Sequence, residues 1–152
     1  MVFLKKILIP TDLSEFSMAA MDFAESFGDL YSSKICVLHV LDSKESHQRS
    51  DDEALKELEQ FIQIYSRTPA RLTMMVRKGV PADEIRRFAD EEGIDLIIMA
   101  THGRTGLRHV LMGSVAEKTV RLASVPVLTV KPLPMVENLL KNEDVEKELH
   151  LR

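Results

Sequence analysis

The chain has one cysteine among its 152 residues, and no stretch of it approaches the roughly 18 consecutive apolar residues of a membrane-spanning helix. The lone thiol, Cys36, cannot pair within the chain, which favours a reducing compartment and a buried side chain. The N-terminal stretch MVFLKKILIP has lysines inside its apolar run and lacks a small-residue cleavage site, which argues against a secretory signal. We therefore expect a cytoplasmic, soluble protein with no membrane partner.

A cluster of basic residues is also lacking. The chain carries 20 Lys and Arg against 24 Asp and Glu, for a formal net charge of -4, and the basic residues are spread along the sequence. Nucleic-acid-binding proteins gather such residues into a patch, so we expect no nucleic-acid partner. The length suits one domain, which we assign to residues 1–134. The remaining residues, 135–152, are a C-terminal tail that is either amphipathic or disordered.

Short apolar runs alternate with helical patterns along the proposed domain. The alternation predicts the order β-α-β-α-β-α-β-α-β, and hence an α/β fold with a parallel sheet and helices on both faces. The run IDLIIMA is the most apolar and predicts a central strand, whereas the alternating RLTMMVRKG predicts a strand at or near an edge. The five predicted strands are KKILIPTD, KICVLHVLD, RLTMMVRKG, IDLIIMA and VPVLTVKP.

Local signals predict where the helices begin and which faces they bury. Ser14 can cap the first helix. The polar stretch SKESHQRSDDE leads into the second helix, and the third begins at Pro81 and ends at Gly93. The apolar residues expected on the buried face of the first helix are Phe16, Ala19, Ala20, Phe23 and Phe27.

Polar residues follow three of the predicted strands, at the sheet edge where parallel α/β proteins bind ligands. The stretches are PTDLSE, HVLD and MATHG. Asp12 could accept hydrogen bonds from ribose hydroxyls or an adenine amine, or it could cap the following helix. The backbone of Val40 could meet the edge of a base.

The stretch MATHGRTGLRHVLMGSV contains three glycines, two arginines and two histidines before a predicted helix. Gly113 and Ser114 stand at the start of that helix, where unpaired amides and the helix dipole attract anions. Arg104, Arg108 and His109 could screen phosphate charge or be solvated. The glycines could instead serve turns, and Ser114 could be a simple N-cap. Neither a Walker A loop nor a G-x-G-x-x-G fingerprint is present.

Together, residues 2–132 resemble the universal stress protein family. The matching stretches are KKILIPTDLSE, VLHVLD and IDLIIMATHGRTGLRHVLMGSVAEKTVRLASVPVLTVKP. The resemblance implies a Rossmann-like five-stranded parallel sheet and a homodimer formed through the last strand. The family includes members that bind ATP and members that do not. Its nucleotide-binding pattern, G-x2-G-x9-G-[S/T], is matched by Gly103, Gly113 and Ser114, whereas Ala100 stands at the first glycine position.

The resemblance also implies which residues contact the nucleotide. It places Asp12 on the nucleotide, the backbone of Val40 on the base, and Met99 and Ala100 near ribose or phosphate. Alanine is compatible with binding if position 100 needs only a small residue, and is strained if it needs a positive φ. We favour the first reading and predict ATP binding. The predicted binding residues are Pro10, Thr11, Asp12, Val40, Met99, Ala100, His102, Gly103, Arg104, Gly113, Ser114 and Val115.

Catalytic groups are sparse in the sequence. No Asp or Glu occurs from Thr101 to Val115, so Mg²⁺ or Mn²⁺ would be held mainly by the phosphates and water. His102 and His109 have no neighbouring carboxylate, and Ser114 has no identifiable base. We expect slow hydrolysis at most.

The apolar strand at residues 125–131 predicts a homodimer, because an unpaired sheet edge recruits a second strand and a symmetry mate supplies one. Our hypothesis is an ATP-binding, dimeric stress-response module. The alternative is a protein-interaction module of the same fold that binds no nucleotide.

Overall fold

The structure, a computed structural model, describes residues 1–103 and 112–132. It confirms the α/β architecture, with five parallel strands in the order β3-β2-β1-β4-β5. Arg104 and the tail at 135–152 lie outside the described residues. The elements are β1 (Lys6–Thr11), α1 (Ala19–Tyr31), β2 (Lys34–Leu41), α2 (Ser43–Gln48), α3 (Asp51–Tyr65), β3 (Leu72–Lys78), α4 (Pro81–Glu92), β4 (Leu96–Ala100), α5 (Ser114–Leu122) and β5 (Val127–Val130), with 3-10 turns at Glu15–Met18 and Pro69–Arg71.

Strand β1 lies at the centre of the sheet. Ile7 is in register with Ile35 of β2 on one side and with Leu96 of β4 on the other. The chain therefore builds the sheet outward in one direction through β2 and β3, and then in the other through β4 and β5. A crevice for a ligand is expected at the carboxyl ends of β1 and β4, where this direction reverses. The predicted edge position of β3 is confirmed; β4, predicted as a central strand, lies inside the sheet between β1 and β5, and β1 holds the centre.

Two apolar layers cover the faces of the sheet. Successive side chains of a strand point to opposite faces, so Ile7 and Ile9 of β1 enter one layer and Leu8 enters the other. Helices α1 and α3 cover the first layer, whereas α4 and α5 cover the second. The second layer also holds Cys36, which is partly buried.

The first helix differs from the prediction. It begins at Ala19, after the 3-10 turn, and no side chain in the described part of the chain caps that turn at Ser14. Phe23, expected in the core, is 50% exposed. Small residues allow α1 to lie close to the sheet: a Cβ on Gly28 would come within 2.7 Å of Ile35. The residues that α1 buries are Ala20, Met21, Ala24, Glu25 and Gly28.

The polar stretch after β2 forms two helices instead of a loop followed by one. Asp42 and Glu45 cap the start of α2 reciprocally, and Ser50 and Glu53 do the same for α3. Each capping box satisfies amides that a helix start leaves unpaired. The third predicted helix is confirmed as α4, with Pro81 in its first turn and Gly93 as its left-handed C-cap at φ 63.

Side chains close the amino edge of the sheet. The Asp95 carboxylate accepts hydrogen bonds from the backbone amides of Lys5 at 2.8 Å and Lys6 at 2.9 Å. The Lys6 ammonium donates to the carbonyl of Glu92 at 2.7 Å. The open cleft lies at the opposite, carboxyl edge. None of the helices in residues 1–103 and 112–132 has the length and apolar character to span a membrane.

Candidate functional site

A cleft of about 460 Å³ opens at the carboxyl ends of β1, β2 and β4. This volume falls within the roughly 300–1,000 Å³ typical of small-molecule sites. Arg104 lies outside the described residues, and Thr11 does not line the cleft. The predicted site residues that do line it are Pro10, Asp12, Val40, Met99, Ala100, His102, Gly103, Gly113, Ser114 and Val115.

Thr11 supports the turn that follows β1. Its hydroxyl lies 2.6 Å from the Ser17 hydroxyl and accepts a hydrogen bond from the amide of Leu13 at 3.0 Å. The side chain is 7% exposed. Thr11 thus holds the 3-10 turn against the end of the strand.

Asp12 occupies the next position in that turn. Its Oδ1 accepts hydrogen bonds from the amide of Ser14 at 3.0 Å and from the Ser14 hydroxyl at 2.5 Å. Leu13 between them has φ 65, a left-handed conformation uncommon outside glycine. The carboxylate therefore closes a tight Asx turn, and this turn fixes its direction at the cleft.

Gly103 lies against the Asp12 carboxylate. A Cβ at Gly103 would overlap Asp12 Oδ2 and lie 3.1 Å from its Cγ. Because the Ser14 bonds hold that carboxylate, a side chain at position 103 would force the turn to shift. Glycine therefore leaves room for the carboxylate here.

Helix α5 points its N-terminus at the cleft, with Ser114 and Val115 in the lining. Gly113 is the N-cap residue, and its amide donates to the carbonyl of Thr101 at 2.6 Å. A Cβ on Gly113 would lie 3.2 Å from that carbonyl oxygen and 3.7 Å from the Cα of His102. In the described part of the chain, no side chain caps this helix. The first-turn amides and the positive end of the dipole suit an anion.

Ala100 is the last residue of β4 and pairs with Val130 of β5. Within residues 1–103 and 112–132, positive φ occurs only at Leu13, Ser32, Gly79 and Gly93. Position 100 therefore has ordinary strand geometry, which alanine adopts without strain. The backbone at position 100 therefore does not call for glycine.

The floor of the cleft contains a buried polar pair. The Thr101 hydroxyl and Nδ1 of His102 lie 2.9 Å apart, and the two residues are 4% and 8% exposed. Gly113 packs directly on this segment. The described residues contain no group of three or more His, Cys, Asp or Glu side chains placed to hold a metal ion.

Sequence reasoning missed one wall of the cleft. Helix α2 contributes Lys44, Glu45 and Gln48, and Pro81 comes from the start of α4. The Asp42 and Glu45 spacing of a capping box was a signal for this helix in the sequence. The cleft residues that were not predicted are Ser17, His39, Asp42, Lys44, Glu45, Gln48, Pro81, Thr101 and Ala116.

His39 in β2 lies behind this wall and is 1% exposed. Its Nδ1 lies 2.9 Å from the carbonyl oxygen of Thr11, and its Nε2 lies 3.2 Å from Nη2 of Arg49. A carbonyl only accepts and a guanidinium only donates. In these two contacts Nδ1 must donate to the Thr11 carbonyl and Nε2 must accept from Arg49, so the ring is neutral with its hydrogen on Nδ1.

Comparison with known proteins identifies the family and the fold. The model of the universal stress protein family matches residues 4–131. Universal stress protein MJ0577 of Methanocaldococcus jannaschii is 30% identical, with 86% of this chain and 96% of that protein covered. Universal stress protein YxiE of Bacillus subtilis is 27% identical, over 83% of this chain and 98% of that protein.

Solved structures show the same fold. The structure of the hypothetical protein MJ0577 superposes with a TM-score of 0.75 at 33% identity, covering 86% of this chain and 97% of that one. A universal stress protein in complex with cAMP gives 0.65 at 22% identity, covering 86% and 98%. The universal stress protein of Archaeoglobus fulgidus in complex with dAMP gives 0.59 at 23% identity, covering 86% and 100%. The chain belongs to the universal stress protein family.

Proposed function

We propose that this protein binds ATP in the cleft at the carboxyl edge of its sheet and acts as a dimeric, cytoplasmic stress-response module. The observation that carries the proposal is the packing of Gly103 on the fixed carboxylate of Asp12, beside the N-terminus of α5. One side of the cleft can accept hydrogen bonds and the other can bind an anion. A nucleoside phosphate needs both properties in one ligand.

The parts of ATP fit the chemistry of the cleft residues. The Asp12 carboxylate would accept hydrogen bonds from ribose hydroxyls or the adenine amine, and the backbone of Val40 would meet the base. The phosphates would lie at Ser114 and Val115, on the amides of the first turn of α5. Two proteins of this fold were solved with cAMP and with dAMP, which are also adenine nucleotides.

Metal binding would follow the nucleotide. Mg²⁺ or Mn²⁺ would be held mainly by the phosphates and water, an arrangement common for Mg²⁺. The cleft offers Asp12, Asp42 and Glu45 as carboxylates, but Asp12 closes its own turn and the other two form a capping box. We therefore propose slow hydrolysis at most, with bound ATP acting as a conformational ligand.

Calorimetric titration of nucleotide-stripped protein with ATP and Mg²⁺ tests the proposal. Micromolar affinity, roughly -8 kcal/mol, is expected for the wild type. Gly113→Val should abolish the binding heat, because its side chain would meet the Thr101 carbonyl. Ala70→Val, which adds bulk at an exposed position outside the cleft, is the matched control and should bind normally.

Absence of heat with the wild type, together with no thermal stabilisation by ATP, would contradict the proposal. It would favour the alternative of a protein-interaction module that binds no nucleotide. A wild type that binds ATP, and a Gly113→Val variant that binds equally well, would place the ligand elsewhere.

The proposed homodimer forms through residues 125–131, since β5 is an edge strand. The amides of Ile97 and Thr101 donate to the carbonyls of Pro126 and Val130. In a parallel ladder, every second residue of a strand turns its amide and carbonyl toward a given neighbour. In β5, Leu128 and Val130 face β4 in this way, so the Thr129 amide points away from β4. Thr129→Pro should leave the fold intact and convert the dimer into a monomer in sedimentation, because an edge strand tolerates proline there.

Leu128→Pro is the control for the dimer experiment. It removes an amide that points toward β4, so it should destabilise the fold. A wild type that is monomeric at high concentration would contradict the dimer. We also propose a domain at residues 1–134 followed by a tail at 135–152, and removal of the tail should leave ATP binding intact.

A further inference from the structure

We propose that His39 is a positioning residue that sets the spacing between the two nucleoside-facing walls of the cleft. One wall is the Asp12 turn after β1, and the other is Val40 with helix α2. The inference rests on the proposed nucleotide function. Its basis is the buried ring of His39, which bonds to both walls through its two nitrogens.

The first bond fixes the wall that carries Asp12. The ladder between β1 and β2 ends with Thr11 opposite His39; beyond that pair β1 leaves the sheet, whereas β2 continues to Leu41 beside β3. The ring of His39 donates from Nδ1 to the Thr11 carbonyl at 2.9 Å. That carbonyl shares a planar peptide group with the Asp12 amide. The ring therefore restrains the peptide group from which the Asx turn starts.

The second bond fixes helix α2. Arg49 is the C-cap residue of α2, and its Nη2 donates to Nε2 of His39 and, at 3.0 Å, to Glu45 within that helix. Its Nη1 pairs with Glu57 of α3. The other Glu45 oxygen accepts from the amide of Asp42 at 3.2 Å. Helix α2 is thus bound at both ends to a network that reaches the sheet through His39.

The linkage depends on an imidazole that donates on one side and accepts on the other. Arg49 can donate to Nε2 only when that nitrogen carries no hydrogen. Glu45 and Glu57 balance the positive charge of the Arg49 guanidinium, so its hydrogen bond to His39 forms with an uncharged imidazole ring.

Three substitutions separate the two bonds. The amide nitrogen of Asn superposes on Nδ1 of histidine, so His39→Asn retains the bond to Thr11 and loses Arg49. His39→Gln extends to the position of Nε2, retaining the bond from Arg49 and losing Thr11. His39→Leu fills much of the ring volume and loses both bonds.

The experiment titrates each variant with ATP and with adenosine. Both ligands should bind His39→Leu about tenfold more weakly than the wild type, with a smaller loss of about threefold for His39→Asn and His39→Gln. Equal losses for the two ligands locate the effect at the nucleoside end. A folded His39→Leu protein that binds ATP as tightly as the wild type would overturn the proposal.

Measurements without nucleotide keep this proposal separate from the function. Nitrogen NMR of the free wild type should show the His39 ring protonated on Nδ1 alone. Amide exchange at Ser46 and Arg49, which bond within α2, should quicken in His39→Leu, while the Asp95 amide at the opposite edge stays protected.

A wild type that binds no ATP would refute the proposed function. The ring NMR and the amide exchange in α2 would still test whether His39 positions the two walls. A different tautomer, or unchanged exchange in α2, would refute the positioning role.

Discussion

Replacement of Glu25 by glutamine should cost this protein a large part of its stability. Glu25 lies in α1 and is 2% exposed, yet it faces the connection between α3 and β3. Its Oε1 accepts hydrogen bonds from the Ser66 hydroxyl at 2.5 Å, and from the amide and hydroxyl of Thr68 at 3.1 and 3.0 Å. Its Oε2 accepts from the amide of Arg67 at 3.2 Å and lies 3.3 Å from Nε of Arg67.

The magnitude follows from these contacts. A hydrogen bond to a charged group contributes about 1.5–3 kcal/mol and a neutral one about 0.5–1.5 kcal/mol. Glutamine retains one oxygen, which serves the Ser66 and Thr68 donors without charge assistance, and it places an amide nitrogen against Arg67. We expect the free energy of unfolding to fall by about 2–3 kcal/mol. For a chain of this size the midpoint of thermal unfolding falls by roughly 4–12 °C.

Asp29→Asn on the same helix is the matched control. Asp29 pairs with Arg71 at 2.9 Å, but their side chains are 51% and 59% exposed. Such pairs contribute about 0–1 kcal/mol. Urea unfolding of both variants measures the comparison. A Glu25→Gln protein within error of Asp29→Asn would refute the assignment of Glu25 as the anchor of this connection.

The pH dependence provides a second measure. Burial raises the pKa of Glu25, but the hydrogen bonds from Ser66, Arg67 and Thr68 together hold that pKa below its ordinary value. Because the folded pKa is the lower one, the carboxylate stabilises the fold above the unfolded pKa, and the benefit is lost as pH falls through the folded pKa. The difference between wild type and Glu25→Gln should be constant above about pH 5 and shrink in more acidic solution.

Two further predictions concern the site and the thiol. Gly103→Ala should weaken ATP binding about tenfold by displacing the Asp12 carboxylate. The control is Gly93→Ala, at φ 63 with no atom within 4 Å of its added Cβ, which should lower stability and leave the calorimetric affinity unchanged. Equal affinities for the two variants would contradict the steric argument. Burial, with a smaller effect of Glu92, raises the pKa of Cys36 to about 11. Its reaction with a disulfide reagent at neutral pH should therefore be at least about a hundredfold slower in the folded than in the unfolded protein, and similar rates would contradict that environment.

The sheet could be predicted from the sequence because each strand carries its own signal. The run IDLIIMA is buried on both faces, and its uninterrupted apolar character reports that directly. Helix α1 was harder, since its buried face is set by distance to the sheet. Gly28 nearly touches Ile35, so small side chains face inward and Phe23 is left half-exposed. Hydrophobic periodicity does not record that distance.

The cleft was predictable where the chain supplies it locally. Asp12, Gly103 and Gly113 follow strand ends or begin a helix, and strand ends define the ligand edge of such a sheet. Helix α2 and His39 were missed for a different reason. His39 bonds to Thr11, 28 residues away, and to Arg49, 10 residues away at the far end of α2, and these pairings arise only after folding.

The hydrogen bonds that close the amino edge determine which part of the sheet opens first when the protein is warmed. Asp95 binds the Lys5 and Lys6 amides there, while the carboxyl edge depends on turns and the short helix α2. Segments with few buried contacts open at lower free energy than the whole molecule. Warming should therefore loosen the carboxyl edge first and leave the rest of the sheet assembled. The protein would lose its pocket and recover it without unfolding, and a ligand held there would raise the temperature at which this happens.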